Sequence, residues 1–251
     1  MGYFKDMMNI DINCDVGEGI GNEAQLMPLI SSCNIACGGH AGDTVTMMKV
    51  ASLAKENKVL IGAHPSYPDR ENFGRTSIKI ANDELKKSIQ AQLEELGTVL
   101  KSLGAVLNHI KPHGALYNDV AKDRKLAAVF LDSIEKYKKE VFLYVPYHSK
   151  IGEEARRLGF QIKYEAFVDR NYNEDLSLVS RKDPRAMIQD PKAVMDHLLI
   201  MATKGSVLTL SGRLVKIKAD TYCIHGDSPT TLQILAYLSR HLPKNQILIK
   251  K

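Results

Sequence analysis

The stretch KPHGALYN, residues 111–118, places a lysine and a histidine two positions apart, directly after the apolar run AVLNHI. A lysine can stabilise developing negative charge, and a histidine can carry protons near neutral pH. Because alternate residues of a strand share one face, His109, Lys111 and His113 are expected to point the same way. This pattern predicts acid–base chemistry at the end of a strand.

Similar polar runs end four other strand-like segments, in DINCDVGEG, ACGGHAGD, GAHPSYPD and CIHGDSP. Their candidate site residues are Asp11, Asn13, Asp15, Glu18, His40, His64, His225 and Asp227. In parallel α/β folds, ligands bind at the carboxyl ends of the strands. Asp11, Asn13 and Asp15 share one strand face and cannot pack under helices, so we expect them inside a barrel or at its mouth. Recurrence at five strand ends favours one shared site.

Some of these residues also have simpler structural interpretations. Asp43 and Asp227 could be helix N-caps, and a lone histidine is more often a hydrogen-bonded structural residue than a catalyst. The glycines at positions 17, 19 and 21 give a weak phosphate-binding signal, but they are more typical of a tight turn. The recurrence of polar residues at five strand ends is the observation that favours a shared functional site over these structural interpretations.

Short apolar runs alternate with helical patterns along the chain, which predicts βα units with parallel strands. The strand runs are MNIDINC, CNIAC, KVLIGAH, AVLNHIK, EVFLYVP, FQIKYEA and DTYCIHG. Helices are expected over residues 23–31, 43–57, 82–103, 123–139, 191–203 and 229–242, and another helix is expected to run through residue 157. This alternation favours a closed α/β barrel.

Two segments depart from the alternation. In GSVLTLSGRLVKIKAD, β-rich runs flank Ser211 and Gly212, which predicts an inserted β-hairpin. Residues 169–190 carry no strong period, so we expect a long functional loop there.

Composition narrows the class of protein. The chain has 251 residues, of which 44% are hydrophobic and 25% charged, and this fits one globular domain over residues 1–251. The net charge is +5, but the lysines that produce it are scattered along the chain, which argues against a clustered nucleic-acid-binding surface. No run suits a membrane span, and MGYFKDMMN lacks a signal-peptide core, so a cytoplasmic protein is expected. Without zinc-ribbon spacing, four cysteines are expected to be buried, reduced thiols: Cys14, Cys33, Cys37 and Cys223.

The motifs resemble the family of 5-oxoprolinase A subunits, also called the LamB/YcsF family. The resemblance runs through IDINCDVGEG, ACGGHAGD, GAHPSYPD, KPHGALYN, EAFVDRNY and IHGDSP in family order and spacing. It implies a distorted TIM-like barrel related to glycoside hydrolases and deacetylases. It also implies ATP-dependent opening of the 5-oxoproline (pyroglutamate) lactam to L-glutamate, with ADP and phosphate released, Mg²⁺ accompanying the ATP, and partner subunits B and C. The sequence departs from the family at Gly39, where a larger apolar residue is usual, and this predicts a looser pocket wall.

For that reaction the sequence suggests specific roles. We expect Lys111 to stabilise an oxyanion or phosphoryl oxygens, and His113 and His64 to move protons. Asp15, or less favourably Asp11 or Glu18, would activate water. The residues expected to bind substrate are Asn13, His40, Asn118, Arg170, His225 and Asp227, with Arg170 as the clamp for the substrate carboxylate. Because the chain has no GxxxxGK[ST] P-loop, ATP must bind in another geometry or be shared with a partner subunit.

Two other interpretations stay open from the sequence. One is a metal-dependent, deacetylase-like hydrolase of carbohydrate or amide substrates. Its divalent ion would be held by Asp11 or Asp15 together with His40, His64 or His113. The other is a non-catalytic scaffold or sugar-binding subunit. A homo-oligomer is also possible.

Overall fold

A closed barrel of parallel strands organises the molecule. The structure is a computed structural model that describes residues 7–251, and within these residues seven parallel strands close into one ring. The ring contains β2 (Ile12–Val16), β3 (Ser32–Ala36), β4 (Leu60–His64), β5 (Leu107–Ile110), β6 (Phe142–Pro146), β7 (Gln161–Phe167) and β10 (Thr221–Ile224). The last strand closes the ring by pairing with both β2 and β7. The predicted TIM-like α/β barrel is confirmed.

Helices connect successive strands and cover the outside of the barrel. They are α1 (Glu23–Leu26), α2 (Thr44–Glu56), α3 (Asn82–Ser102), α4 (Gly114–Lys122), α5 (Arg124–Ser133), α6 (Lys150–Leu158), α7 (Pro191–Lys204) and α8 (Thr231–His241). Short 3₁₀ turns occupy Met27–Leu29, Glu135–Tyr137 and Leu242–Asn245. The helix expected over residues 23–31 is shorter than predicted, because it tightens into a 3₁₀ turn at Pro28. The helix expected over residues 123–139 likewise ends at Ser133.

Local sequence explains how these helices start and what they bury. Asp43 is an N-cap, as its simpler interpretation predicted, because its carboxylate accepts the backbone N–H of Thr46 at 2.7 Å. Helix α3 buries its apolar residues at three- and four-residue spacing, which gives one face toward the barrel. These residues are Leu85, Ile89, Leu93, Leu96, Val99 and Leu100.

Strand alternation separates an apolar layer from a polar interior. Ile12, Cys14 and Ile35 belong to the apolar layer of buried hydrophobic residues. Their neighbours Asn13 and Asn34 turn inward, and Asn34 donates to the side-chain carbonyl of Asn13 on the adjacent strand. The four cysteines are free and buried, as expected. The polar interior is therefore built from the alternate positions that sequence periodicity identified.

Three smaller features complete the fold. Strands β8 (Ser206–Leu208) and β9 (Leu214–Lys216) form the predicted antiparallel hairpin. Strands β1 (Met8–Ile10) and β11 (Ile247–Ile249) pair at the amino-terminal end of the barrel strands. The segment 169–190 is the predicted long loop, with only two isolated β-bridges, Arg170 to Met187 and Tyr172 to Leu178.

Two expectations drawn from the sequence concern the ends and the surface of the molecule. The first six residues of MGYFKDMMN lie outside the described residues. Among the helices of residues 7–251, none combines the length and apolar character required to cross a membrane.

Candidate active site

Lys111 is the centre of a buried charge cluster at the mouth of the barrel. Its Nζ lies 2.9 Å from Asp15 Oδ1, 2.9 Å from Glu165 Oε1 and 3.0 Å from Cys223 Sγ. Burial opposes the lysine charge, but Asp15, Cys223 and Glu165 together raise the pKa of Lys111 well above its usual value. The ammonium is therefore a fixed positive charge on the wall of the site.

Asp15 stays ionised beside this lysine. Burial opposes its negative charge, but His64 and Lys111 hold the pKa of Asp15 well below its usual range. Its second oxygen, Oδ2, lies 3.4 Å from His64 Nε2. Asn34 donates to Asp15 Oδ1 at 2.7 Å, so the carboxylate orientation is fixed from below.

Three histidines and Glu18 form a second cluster next to Asp15. His64 Nε2 lies 2.9 Å from His113 Nδ1, and His113 Nδ1 lies 3.4 Å from Glu18 Oε1. His40 stacks on His113 with ring centroids 3.6 Å apart, and its Nε2 donates to Glu18 Oε1 at 2.9 Å. Burial, together with His64 and His40, holds the pKa of His113 well below its usual value, while burial and Asp15 raise the pKa of Glu18 to about 7.

The clusters open into a cavity of about 440 Å³. Of the expected residues, Asp15, His64, Lys111, His113, Asn118, Arg170 and His225 line it. Its cationic side chains are Arg75, Lys111, Lys122, Arg170, Arg181 and Lys182. Among the described residues that line this cavity, Asp15 is the single carboxylate. An anionic ligand matches this lining.

Two of the expected residues lie too deep in the barrel to reach the cavity. Asp11 Oδ1 accepts the hydroxyls of Ser32 and Thr221, and Asp11 is not part of the cavity lining, which argues against its predicted catalytic or metal-binding role. Asn13 is fully buried; its amide donates to Thr221, and its carbonyl accepts from Asn34. The Asn13 carbonyl also lies 3.4 Å from Lys111 Nζ, so these contacts favour a supporting role beneath the site over direct substrate binding.

Arg170 lines the cavity, but its guanidinium is used to hold the long loop. It donates to the carbonyls of Val179 at 2.6 Å and Ala186 at 3.3 Å. These contacts argue against the predicted carboxylate clamp. Arg181, which is exposed on the same loop and lines the same cavity, is better placed for that role.

The remaining predicted substrate ligands have partners within the protein. His225 Nδ1 lies 2.9 Å from Asp169 Oδ2. Asn118 donates to the carbonyl of Gly114 at 3.0 Å, and Asp227 pairs with Arg75. His225 and Asn118 still border the cavity, whereas Asp227 orients Arg75 from outside the lining, and His40 acts on Glu18.

The sequence interpretation missed Glu165, Arg75 and Arg181. Glu165 could have been found, because it lies two positions before Phe167 on β7 and strand alternation turns both inward. Arg75 lies eleven residues beyond the end of β4, and Arg181 lies within the aperiodic loop. Neither residue lies at a strand end, so the strand-end pattern could not have identified it.

Gly39 does not loosen the pocket wall, so that prediction is wrong. A Cβ built on Gly39 would lie 2.4 Å from Gln92 Oε1 and 2.4 Å from Ser66 Oγ. Gln92 is buried and accepts the backbone N–H of Ser66 at 3.0 Å. The space beside Gly39 is therefore filled by a side chain from α3.

Comparisons with known proteins identify the family of this chain. The family model described as the LamB/YcsF family matches residues 10–251. The 5-oxoprolinase A subunit of Haemophilus influenzae (strain PittEE) is 42% identical over 243 residues, which cover 97% of this chain and 99% of that protein. The protein of the same name from Pyrococcus abyssi is 38% identical over 245 residues, 96% of each chain.

A solved structure supports the same assignment. The "Lactam Utilization Protein" from Thermus thermophilus superposes with a TM-score of 0.90 at 33% identity, covering 97% of this chain and 99% of that one. Sequence and fold thus match over nearly the full length. The chain belongs to the LamB/YcsF family.

Proposed function

We propose that this chain is the A subunit of a 5-oxoprolinase, which opens the lactam of 5-oxo-L-proline to L-glutamate at the expense of ATP and works with partner subunits B and C. The names of its relatives support this choice. The observation that carries it is the Lys111–Asp15 pair, which lies on the wall of a cavity with six cationic side chains and one carboxylate. That lining suits a substrate carboxylate and phosphate groups.

The chemistry explains the need for ATP. Amide resonance makes the lactam carbon a poor electrophile, so transfer of the terminal phosphoryl group of ATP to the lactam oxygen would activate it. Water then adds to the carbon, the C–N bond breaks, and the nitrogen takes a proton. Hydrolysis of the resulting acyl phosphate with a second water releases L-glutamate and phosphate.

The buried charges suit these steps. In this proposal Lys111 stabilises the negative charge on the lactam or phosphoryl oxygens, because its ammonium is held in a site with little water. Asp15 or Glu18 accepts the proton of the attacking water. His64 and His113 carry protons between this wall and the departing nitrogen. Arg181 takes the place of Arg170 in binding the substrate carboxylate.

The same lining also supports the proposal that a nucleotide binds here. The exposed cations around the cavity, Arg75, Lys122, Arg181 and Lys182, are the part of this chain that suits a triphosphate, with Mg²⁺ entering alongside the nucleotide. A partner subunit could complete this site, because the chain has no P-loop motif.

Reconstitution tests the proposal. The chain is mixed with its B and C subunits, 5-oxoproline, ATP and Mg²⁺, and glutamate and ADP are measured while each component is omitted in turn. We expect product only from the complete mixture and a loss of at least about a hundredfold for Asp15→Asn. Full glutamate production without this chain, or by the Asp15→Asn complex, would refute the assignment.

A further inference from the structure

Three buried ligand-type atoms, from Asp15, His64 and His113, converge beside Lys111, and a carboxylate oxygen of Glu18 lies next to one of them. His64 Nε2 lies 3.4 Å from Asp15 Oδ2 and 2.9 Å from His113 Nδ1, and Glu18 Oε1 lies 3.4 Å from the same His113 nitrogen. The ligand atoms of Asp15, His64 and His113 all lie within 4.8 Å of one another. These side chains come from three different strand ends, so only barrel closure brings them together.

Backbone carbonyls fix which nitrogen of each ring carries the hydrogen. His64 Nδ1 lies 2.8 Å from the carbonyl oxygen of Lys111, and His113 Nε2 lies 2.9 Å from that of Phe73. A carbonyl oxygen only accepts, so both of these nitrogens donate. In the neutral rings, His64 Nε2 and His113 Nδ1 are therefore both lone-pair acceptors.

These two lone pairs face each other at 2.9 Å, and the nearest other polar atoms are carboxylate oxygens. Acceptor atoms this close to one another repel unless they share a cation. Glu18 is held in this arrangement by His40, which donates to its Oε1. Only an extra proton or a metal ion between these atoms can remove the repulsion.

The spacing matches the ligands of one metal ion. Ligand atoms about 2.0–2.2 Å from a zinc-sized ion lie roughly 2.9–3.5 Å apart at tetrahedral to octahedral angles. The observed separations of 2.9 and 3.4 Å fall within that range. Histidines that bind a metal also commonly donate their other N–H to a backbone carbonyl, as both rings do here.

We propose that Asp15, His64 and His113 bind a divalent transition-metal ion such as Zn²⁺ as its three protein ligands, with a further position left open for water or substrate. Two imidazoles and one carboxylate favour such an ion over Mg²⁺, which prefers oxygen ligands alone. Asp11 and His40, the other metal ligands that the sequence suggested, are outside the set, because Asp11 lies deep in the barrel and His40 donates to Glu18. Asp15, His64 and His113 line the cavity, so an ion there would be positioned to polarise a carbonyl oxygen of a bound substrate. With the ion bound, His64 and His113 would hold it instead of carrying protons, because both nitrogens of each ring are then occupied.

Metal binding is measured on the purified full-length chain, independently of the proposed reaction. Bound metal is first removed from the protein with a chelator, and the protein is then titrated with Zn²⁺, Mn²⁺ or Co²⁺. Elemental mass spectrometry gives the number of metal ions bound per chain, and thermal unfolding gives the midpoint temperature at each step. We expect about one ion per chain, a higher midpoint with metal, and at least about tenfold weaker binding in His113→Gln and His64→Gln. His148→Asn, which replaces an exposed histidine, serves as the matched control and should bind normally.

The rival explanation is a shared proton between His64 and His113. If folded wild-type protein takes up none of the three ions in stoichiometric amount and its midpoint does not change, the proton explanation replaces the metal site. Equal metal uptake by wild type and the folded His64→Gln variant would also overturn the proposal. Should one variant fail to fold, the wild-type titration and the other variant still decide the question. Loss of lactam activity with normal metal uptake would count against the proposed reaction alone.

Discussion

Lys111 is a buried residue whose charge is balanced by two carboxylates, Asp15 and Glu165, each 2.9 Å away. Removing the ammonium would leave both acids uncompensated inside the barrel, which is much more costly than losing a surface ion pair. The same arrangement that makes Lys111 suitable for stabilising an oxyanion also makes it part of the stability of the fold.

Lys111→Met should lower the free energy of unfolding by about 3–5 kcal/mol, because it keeps the length of the side chain but leaves two buried acids unpaired. Glu165→Gln should cost less, since Lys111 keeps Asp15 as a partner. Urea unfolding at pH 7 compares the two variants with wild type. A larger loss for Glu165→Gln than for Lys111→Met would contradict this description of the cluster.

The burial of His197, on α7, makes the free energy of unfolding depend on pH. Burial lowers the pKa of His197 to about 4, although the Arg170 backbone and Asp169 act in the opposite direction. Between the unfolded value of 6.5 and about 4, the unfolded chain therefore binds a proton that the folded chain does not. Stability should be complete above pH 6.5 and fall by up to about 3 kcal/mol as the pH drops to 4.

The measurement is the unfolding free energy of wild type and His197→Gln at pH 7 and pH 5. Other buried histidines add to the slope in both proteins, so the difference between the two slopes isolates His197. We expect the variant to lose less stability between these pH values. Equal slopes would mean that His197 does not contribute.

At the level of elements, the turn between β5 and α4 fixes His113. Gly114 has φ +57°, and a Cβ there would lie 2.5 Å from the carbonyl oxygen of Gly74. That same carbonyl accepts the N–H of Ala115 at 2.9 Å, which ties the two loops together. Only glycine fits this close approach without strain.

Gly114→Ala should therefore destabilise the protein by roughly 1–3 kcal/mol and reduce activity by displacing His113. Gly97→Ala is the matched control, because Gly97 lies within α3 and, apart from its chain neighbours and the backbone of its own helix, no atom of the described residues is within 4 Å of its added Cβ. Alanine there should stabilise the helix by up to about 1 kcal/mol. Thermal unfolding and turnover of both variants are compared, and an unchanged Gly114→Ala protein would argue against the proposed role of the turn.

Strands and their polar ends could be predicted from the sequence, because strand alternation is local. The depth of each residue in the barrel could not be predicted in this way. Asp11 alternates with Asp15 in the sequence, but it lies just before the start of β2, four residues and roughly 13 Å from Asp15, which puts Asp11 outside the site. The packing of Gln92 beside Gly39 and the position of Arg75 likewise depend on long loops and on helix placement, which no local pattern encodes.

At the level of the whole molecule, the long loop 169–190 completes the cavity around the barrel mouth. Arg170 holds this loop through two carbonyls, while Arg181 and Lys182 border the cavity. The barrel thus supplies the reactive groups, and the loop adds exposed cations that suit an anionic ligand.

Arg181→Ala should raise the KM for the anionic substrate about tenfold or more while changing kcat less, because it removes a charged hydrogen bond formed on binding. Steady-state kinetics of the complete complex provide the test. Arg240→Ala, on the exposed side of α8, is the control and should behave like wild type. A fall in kcat at constant KM would show that Arg181 acts in the chemical step instead.

The most direct measurement is ATP-dependent 5-oxoproline cleavage by the complete, folded complex that carries Lys111→Met, beside one that carries Lys244→Met. Lys244 is exposed at the amino-terminal end of the barrel, far from the cavity lining. We expect the Lys111 variant to lose at least about a hundredfold in turnover and the Lys244 variant to match wild type. Wild-type turnover by the Lys111 variant would mean that the lactam is opened elsewhere.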